Sequence, residues 1–379
     1  MRILNAIVKN ESKVIERCFN SLKELIDGLV ISDTGSTDNT VEIMENWRVK
    51  NNKLGKIVSH EWKNFEHNRN MALQSCISWI QENKDENIDK SDKDDYIIFI
   101  DADDYLEIID LESIKQQLSN LTKEKYMVTM KCGSLDYARL FCIKVPKKHE
   151  KVTCKWEGVL HEYMNRDGES GQLTGAYIQA SREGARSADP MKYLKDALVL
   201  ETALKENANN DRYVFYLAQS YRDYGGNEFA KMAEKLYMKR YNMGGWDEER
   251  YISLVEAAKC RINRGKSDDK AANLLSQALC LRPHRFEAPY YLIRYYRMKN
   301  LHHIGYLLGK SMFSLPYPSD LLFVDKAIHT WGFYDEIAIC CTWAKDKKLY
   351  RYLCEKILAI PNLPKDTRKR ISRDLKTFG

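Results

Sequence analysis

The chain has 379 residues, 44% hydrophobic and 30% charged, with a net charge of +6 at pH 7. Such a length suits two or three domains of roughly 100–200 residues each. The basic excess reads as mild and spread along the chain, compatible with an anionic ligand but too weak to argue for nucleic acid. No run approaches the ~18 apolar residues of a membrane span. The N-terminal apolar run Ile3–Val8 is too short for a signal peptide, and the ten cysteines form no CxxC pair. These features predict a cytoplasmic protein whose cysteines are reduced and buried as small hydrophobes.

In chain order, Ile3–Val8 reads as a strand and Ser12–Ile26 as a helix with Val14, Ile15, Cys18, Phe19 and Leu22 on one face. Gly28–Asp33 is a second strand, and Thr37–Trp47 a helix whose Asn39 and Glu42 have the spacing of a capping box. Lys56–Trp62 is a third strand, followed by a helix over Asn68–Gln81 that puts Arg69 in its first turn. A cation there opposes the helix dipole, which suggests an anionic ligand such as a diphosphate. Asn83–Asp95 is charged and reads as an exposed loop. Tyr96–Ile100 is five unbroken apolar residues, as in a strand covered on both faces, and it ends in Asp101-Ala102-Asp103-Asp104. The alternation predicts a doubly wound, mostly parallel α/β sheet with its ligand site outside the carboxyl ends of the strands.

If the extended geometry persists past Ile100, Asp101 and Asp103 leave the same face and can hold a hard divalent cation that binds phosphate oxygens. The plainer reading is a strand stopping in a polar turn. Asp33 ends the second strand and is placed to accept from a nucleotide's base or ribose, while Gly35 allows the tight turn that follows. Glu162, after a short apolar stretch, is the best candidate for a general base, and His161 beside it can ligate metal or orient the acid. Trp156 reads either as a stacking platform or as core, with Asp136 and Asp167 as reserve acids. The lysine-rich segment 144–155 reads as a flap or a solvated loop, and Arg182 and Arg186 as closing over a diphosphate or pairing with acids.

From about Asp189 helical periodicity runs to the end, broken at Gly225-Gly226, Gly244-Gly245, Pro283 and Pro316. The segments 278–283 and 311–316 resemble each other 33 positions apart, close to the ~34-residue tetratricopeptide period. The predicted division is an α/β domain over residues 1–185 and an all-α helical repeat domain over 186–379.

Val8-Lys9-Asn10-Glu11-Ser12, the Asp33–Asp38 loop, Asn64-Phe65 with Asn68-Arg69, and Asp101-Ala102-Asp103 occur in that order. With Trp156–Glu162 and Ser181–Arg186 they resemble the family 2 glycosyltransferases of the GT-A fold. Segments 215–223 and 244–249 are similar to a subgroup fused to tetratricopeptide-like helices. The resemblance implies a metal-dependent, inverting transfer of a hexose from a nucleotide-diphosphate sugar, UDP-sugars foremost, to a saccharide or protein acceptor. It implies that Val8, Asn10, Glu11, Asp33, Arg69, Asp101 and Ala102 contact the donor. Asp101, Asp103 and His161 would contact Mn²⁺ or Mg²⁺, with Glu162, as general base, and Asp103 as the catalytic carboxylates. Glu66 departs from the small residue expected in its loop. The helices would dock an acceptor or partner, or self-associate. The alternatives are a non-catalytic scaffold and a sugar nucleotidyltransferase; the latter lacks its glycine-rich loop, since residues 9–13 hold no glycine.

Overall fold

The computed structural model describes residues 1–84, 94–146, 154–181, 183–266 and 268–378. Most of the charged 83–95 segment, most of the lysine-rich 144–155 segment and Arg182 lie outside the described residues. The chain divides into two compact units, residues 1–133 with 137–203, and residues 134–136 with 204–379.

In the first unit β1 (Arg2–Val8), β2 (Gly28–Asp33), β3 (Leu54–Ser59) and β4 (Tyr96–Phe99) form a parallel half-sheet in the order β3-β2-β1-β4. The sheet continues as β7 (Leu135–Lys144), β6 (Lys125–Cys132), β10 (Ser170–Gln179) and β5 (Tyr105–Ile108), with β7 antiparallel to β4. A separate hairpin pairs β8 (Lys155–Glu157) with β9 (Tyr163–Asn165). Strands buried on both faces read as continuous apolar runs because alternate side chains enter different cores. Leu4, Ala6 and Val8 face a core containing Ile15, Phe19 and Leu22 of α1 (Ile15–Leu22) and Met44 and Trp47 of α2 (Thr40–Lys50). Ile3, Ile97 and Phe99 face the other core, with Leu73, Cys76 and Ile77 of α3 (Phe65–Lys84). Helix α4 (Leu111–Ser119) adds Ile114 and Leu118 to the first core.

Three local expectations need correction. The first helix is confined to Ile15–Leu22, because residues 12–14 form a turn in which the Val14 and Ile15 amides donate to the Glu11 carbonyl. Asn39 and Glu42 form no capping box; Asp38 Oδ1 instead accepts from the Thr40 amide at 3.1 Å. Helix α3 starts three residues early, with Asn64 Oδ1 accepting from the His67 amide at 2.8 Å. Arg69 therefore sits one turn inside the helix, where the dipole argument loses its force.

After α5 (Lys192–Glu206), the second unit is an array of helices: α6 (Asp211–Tyr224), α7 (Asn227–Asn242), α8 (Asp247–Asn263), α9 (Asp269–Leu281), α10 (Glu287–Met298), α11 (His302–Met312), α12 (Phe333–Ala344), α13 (Lys347–Leu358) and α14 (Lys365–Phe378). Successive helices pack against each other, and the two similar proline segments close α9 and α11. A two-residue strand, Val324–Asp325, and a π-helical stretch, Ile328–Gly332, interrupt the array. Its interior is partly ionic. Arg285 is fully buried and binds Glu287, Asp320 and the carbonyls of Leu322 and Phe323, while Glu287 also meets His329.

Gly55 pairs with Leu29 at φ +105°, and a Cβ there would stand 1.8 Å from the Leu29 carbonyl oxygen. Gly55→Ala is expected to destabilise the first unit by about 3 kcal/mol or more, since neither the clash nor the left-handed backbone can relax inside a paired strand. A urea unfolding midpoint close to that of the parent chain would contradict this.

Candidate active site

The carboxyl ends of β1, β2 and β4 carry the motifs that begin at Val8, Asp33 and Asp101. Val8 is in the core and acts through its backbone, whose carbonyl accepts from the Thr34 amide at 2.9 Å and from Thr34 Oγ1 at 3.0 Å. Asn10 takes a left-handed conformation, φ 57°. Its Oδ1 accepts from the Thr37 amide at 2.7 Å, and its own amide donates to Ser36 Oγ at 2.9 Å. Asp33 is buried and accepts from the Gly35 and Ser36 amides at 3.1 Å. Asp33 is thus the anchor of its own turn, a structural role beside the nucleotide contact that its strand-end position suggests.

The strand ends at Phe99, so the extended geometry does not persist through the acidic tip, as in the plainer reading of a strand stopping in a polar turn. Residues 101–104 form a turn closed by the Asp104 amide donating to the Asp101 carbonyl at 3.0 Å, with Ala102 buried at its apex. The carboxylates consequently take different partners. Arg69 Nη2 donates to Asp101 Oδ1 at 2.6 Å, and Arg139 Nη2 of β7 donates to Oδ2 at 3.0 Å. Arg69 Nε also donates to Glu162 Oε1, and its guanidinium lies 5.1 Å from the centre of the Trp156 ring. Arg69 and Glu162 are each only 8% exposed, so neither charge is tolerable without the other. Burial disfavours both acids as anions, but Arg69 and Arg139 outweigh it and hold the Asp101 and Glu162 carboxyls below their usual range.

Asp103 faces another way. Its carboxylate lies so close to Gly184 that a Cβ at that position would come within 2.6 Å of Oδ2. Burial, reinforced by the charge of Asp101, raises its pKa. Asp104 is raised as well, by burial and Asp101, although its Oδ1 accepts from the Ser181 amide at 2.9 Å. Glu11 is pushed up to about 7, chiefly by burial, against the pull of the Ala185 amide and with help from Asp103 and Asp38. The tip therefore divides into acids whose pKa the arginines lower and acids whose pKa burial and neighbouring charge raise.

The β8–β9 hairpin is bound to α3 at three points. Asn70 exchanges two 2.8 Å hydrogen bonds with the Trp156 backbone, Glu66 accepts from the Gly158 amide at 3.0 Å, and Arg69 holds Glu162. This gives Glu66 a structural task. Trp156 is buried edge-on against Phe99 at 5.1 Å, so it is core as well as a platform for Arg69. His161 is exposed with φ 52°. Asp167 is exposed beyond β9, and Asp136 lies in β7. Arg186 pairs with Asp196 and covers the Phe65 ring at 4.8 Å.

Among the described residues no three His, Cys, Asp or Glu side chains form a ready-made metal centre. A magnesium-like ion, though, usually needs only one or two carboxylates, with substrate phosphates and water completing its shell. Asp103, an oxygen donor that no cation among the described residues pairs and that lies next to Glu11, fits that requirement. Asp101 fits it poorly, because arginines hold both of its oxygens. Sequence reasoning missed Arg139, which no motif marks within its strand, and the contact of Gly184 with Asp103.

Residues 6–133 match the model of glycosyl transferase family 2. An uncharacterized glycosyltransferase of Rickettsia conorii is 36% identical over 76 residues, 20% of this chain and 24% of the relative. One of Rickettsia felis is 34% identical over 76 residues, with the same shares. The chain thus spans about a quarter of the length of these curated relatives. Among solved structures, S. aureus TarS 1–349 in complex with UDP-GlcNAc is 15% identical, covering 85% of this chain and 98% of that one at a TM-score of 0.31. A thermophilic TPR protein of Thermus thermophilus is 18% identical over 49% of this chain and 91% of its own, at 0.34. Scores this low do not establish a shared arrangement.

Arg69→Met is expected to cost about 3–5 kcal/mol, since it strands the buried Glu162 carboxylate and takes from half-buried Asp101 one of its two arginine partners. The sign of its pH dependence is testable. Asp101 and Glu162 have depressed folded-state pKa values, so their contribution is present above the ordinary carboxylate range and is lost as pH falls below it. Without Arg69, protonation relieves the burial penalty, so the cost of the substitution should shrink between pH 7 and about pH 4. A cost that does not change with pH would refute the pairing.

Proposed function

We propose that this chain, which joins a family 2 glycosyltransferase domain to an array of paired helices, transfers a hexose from a nucleotide-diphosphate sugar to a saccharide or protein acceptor. The observation that carries the proposal is the cluster at the carboxyl end of β4. There, one guanidinium joins the strand-end Asp101 to Glu162, while Asp103 is left free of any acid–base pair among the described residues. A UDP-sugar is the donor to test first.

In this reading the turn pinned by Asp33 and Asn10 presents backbone and side-chain groups to the nucleoside. Asp103, with Glu11 beside it, would hold Mn²⁺ or Mg²⁺, which when bound supplies positive charge against the departing diphosphate. Arg69 keeps Glu162 ionised and oriented, as a proton acceptor must be at neutral pH. The acceptor oxygen bonds to the anomeric carbon as the carbon–diphosphate bond breaks. Its proton passes to a Glu162 oxygen, and the configuration inverts. Arg139, through Asp101, positions Arg69 for this role.

Three variants of the full chain test the reading. Glu162→Gln should lower transfer by about 10²–10⁴-fold while leaving nucleotide affinity near that of the parent. Asp103→Ala should abolish the manganese-dependent part of UDP-sugar binding. Gly184→Val should do the same by displacing the Asp103 carboxylate, with the thermal midpoint little changed. Donor turnover unaffected by Glu162→Gln would remove Glu162 from the role of base, and no turnover with UDP-, GDP- or dTDP-sugars would favour the non-catalytic scaffold.

A further inference from the structure

The net charge of +6 is not spread along the chain. Residues 345–379 hold eleven Lys or Arg and four Asp or Glu, a local +7, so the preceding 344 residues sum to about neutral. This excess lies on the last two helices and has a definite geometry. On α14, Lys365, Lys369, Arg373 and Lys376 recur at intervals of four, four and three, which places them on one face of a helix. All four are exposed, Arg373 at 74%. Ile371 and Leu375 occupy the opposite face and pack into the core of the array, and Phe378 follows on that side with half of its surface exposed.

The inward-facing arginines are committed to structure. Arg368 donates to the Leu358 carbonyl at 2.7 Å, and Arg370 pairs with Asp335 at 2.6 Å. The outward lysines differ. Among the described residues Lys365, Lys369 and Lys376 pair with no acid, and Arg373 meets only its neighbour Asp374 at 3.0 Å. An exposed pair of that kind contributes little. Helix α13 extends the charge with exposed Lys347, Lys348 and Arg351, and it places Tyr352 beside them at 50% exposure.

We infer that the basic face of α14, extended by α13, docks the protein on an anionic lipid surface. Four to eight clustered cations on an amphipathic helix are drawn to acidic headgroups, and exposed aromatic rings at the margin settle at the headgroup level. The helical face is convex and lysine-rich, which suits a diffuse headgroup field better than the groove and arginine forks that read nucleic acid. No described helix is long and apolar enough to cross a bilayer, so the attachment is peripheral. The inference does not depend on glycosyl transfer and would survive the loss of that proposal.

The test is co-sedimentation of the full chain with phosphatidylcholine vesicles, with and without about 30% phosphatidylserine, at ~0.1 M salt. Binding to the anionic vesicles should be at least about tenfold tighter and should vanish near 0.5 M salt, where the screening length falls to a few Å. The quadruple variant Lys365→Glu, Lys369→Glu, Arg373→Glu, Lys376→Glu should lose that preference with its thermal midpoint unchanged. If it does not fold, the corresponding glutamine variant replaces it. Equal binding to both vesicle types, or full binding by the quadruple variant, overturns the inference. Capture by duplex DNA in preference to vesicles of equal charge would overturn it too, and would assign the face to nucleic acid.

Discussion

A single buried guanidinium organises the first unit's site. Arg69 reaches from α3 to the tip of β4 and to the loop before β9, touching an acid on each and the Trp156 ring beside them. A charge buried to this degree is tolerable only when its partners are fixed and oriented. The three elements therefore cannot move independently: displacing the loop leaves Arg69 without its buried acid, and displacing Arg69 strands Glu162 and leaves Asp101 with Arg139 alone. The Asn70 and Glu66 bonds to the hairpin that carries this loop place the geometric constraint on the helix turn that already carries the electrostatic one. The rigidity of the site thus comes from hydrogen bonds anchored on a long helix rather than from the loop itself.

The same guanidinium explains why neighbouring acids behave in opposite ways. With Arg139 it neutralises Asp101 and Glu162, leaving the charge of Asp101 as a burden on Asp103 and Asp104. Environments that push apart the pKa values of adjacent carboxyls separate the groups that stay ionised from those that hold protons or cations. Two arginines and a turn suffice here. Had β4 continued in extended form, Asp101 and Asp103 would have shared one environment, and neither division would have arisen.

The sequence showed the parallel strands clearly, because Ile3–Val8, Gly28–Asp33 and Tyr96–Phe99 are buried on both faces and leave largely apolar runs. The Gly-Gly turns and the prolines closing α9 and α11 were legible for the same local reason. What depended on distant partners was not. Arg139 pairs with a residue 38 positions away and lies in a strand with no distinguishing pattern. Asn64 reads as loop until its hydrogen bond to the His67 amide moves the start of α3 and, with it, the position of Arg69. The Arg285 network joins residues more than 30 apart, and no helical period announces a buried cation. Local chemistry can be read along the chain; ion pairs across the fold cannot.

Charge distribution links the two units without reference to their arrangement. Once the last 35 residues are set aside, the remaining chain has almost no net charge. A diffuse positive field is therefore unavailable to draw a nucleotide diphosphate to the first unit. Any attraction there has to come from individual buried cations in a low-dielectric setting, where each acts at short range and is little screened by salt. The exposed lysines of α14 work in the opposite regime, long in reach and easily screened. A protein built this way separates its two electrostatic tasks by ionic-strength sensitivity: raising salt weakens what the C-terminal helices attract well before it disturbs the arginine cluster at β4.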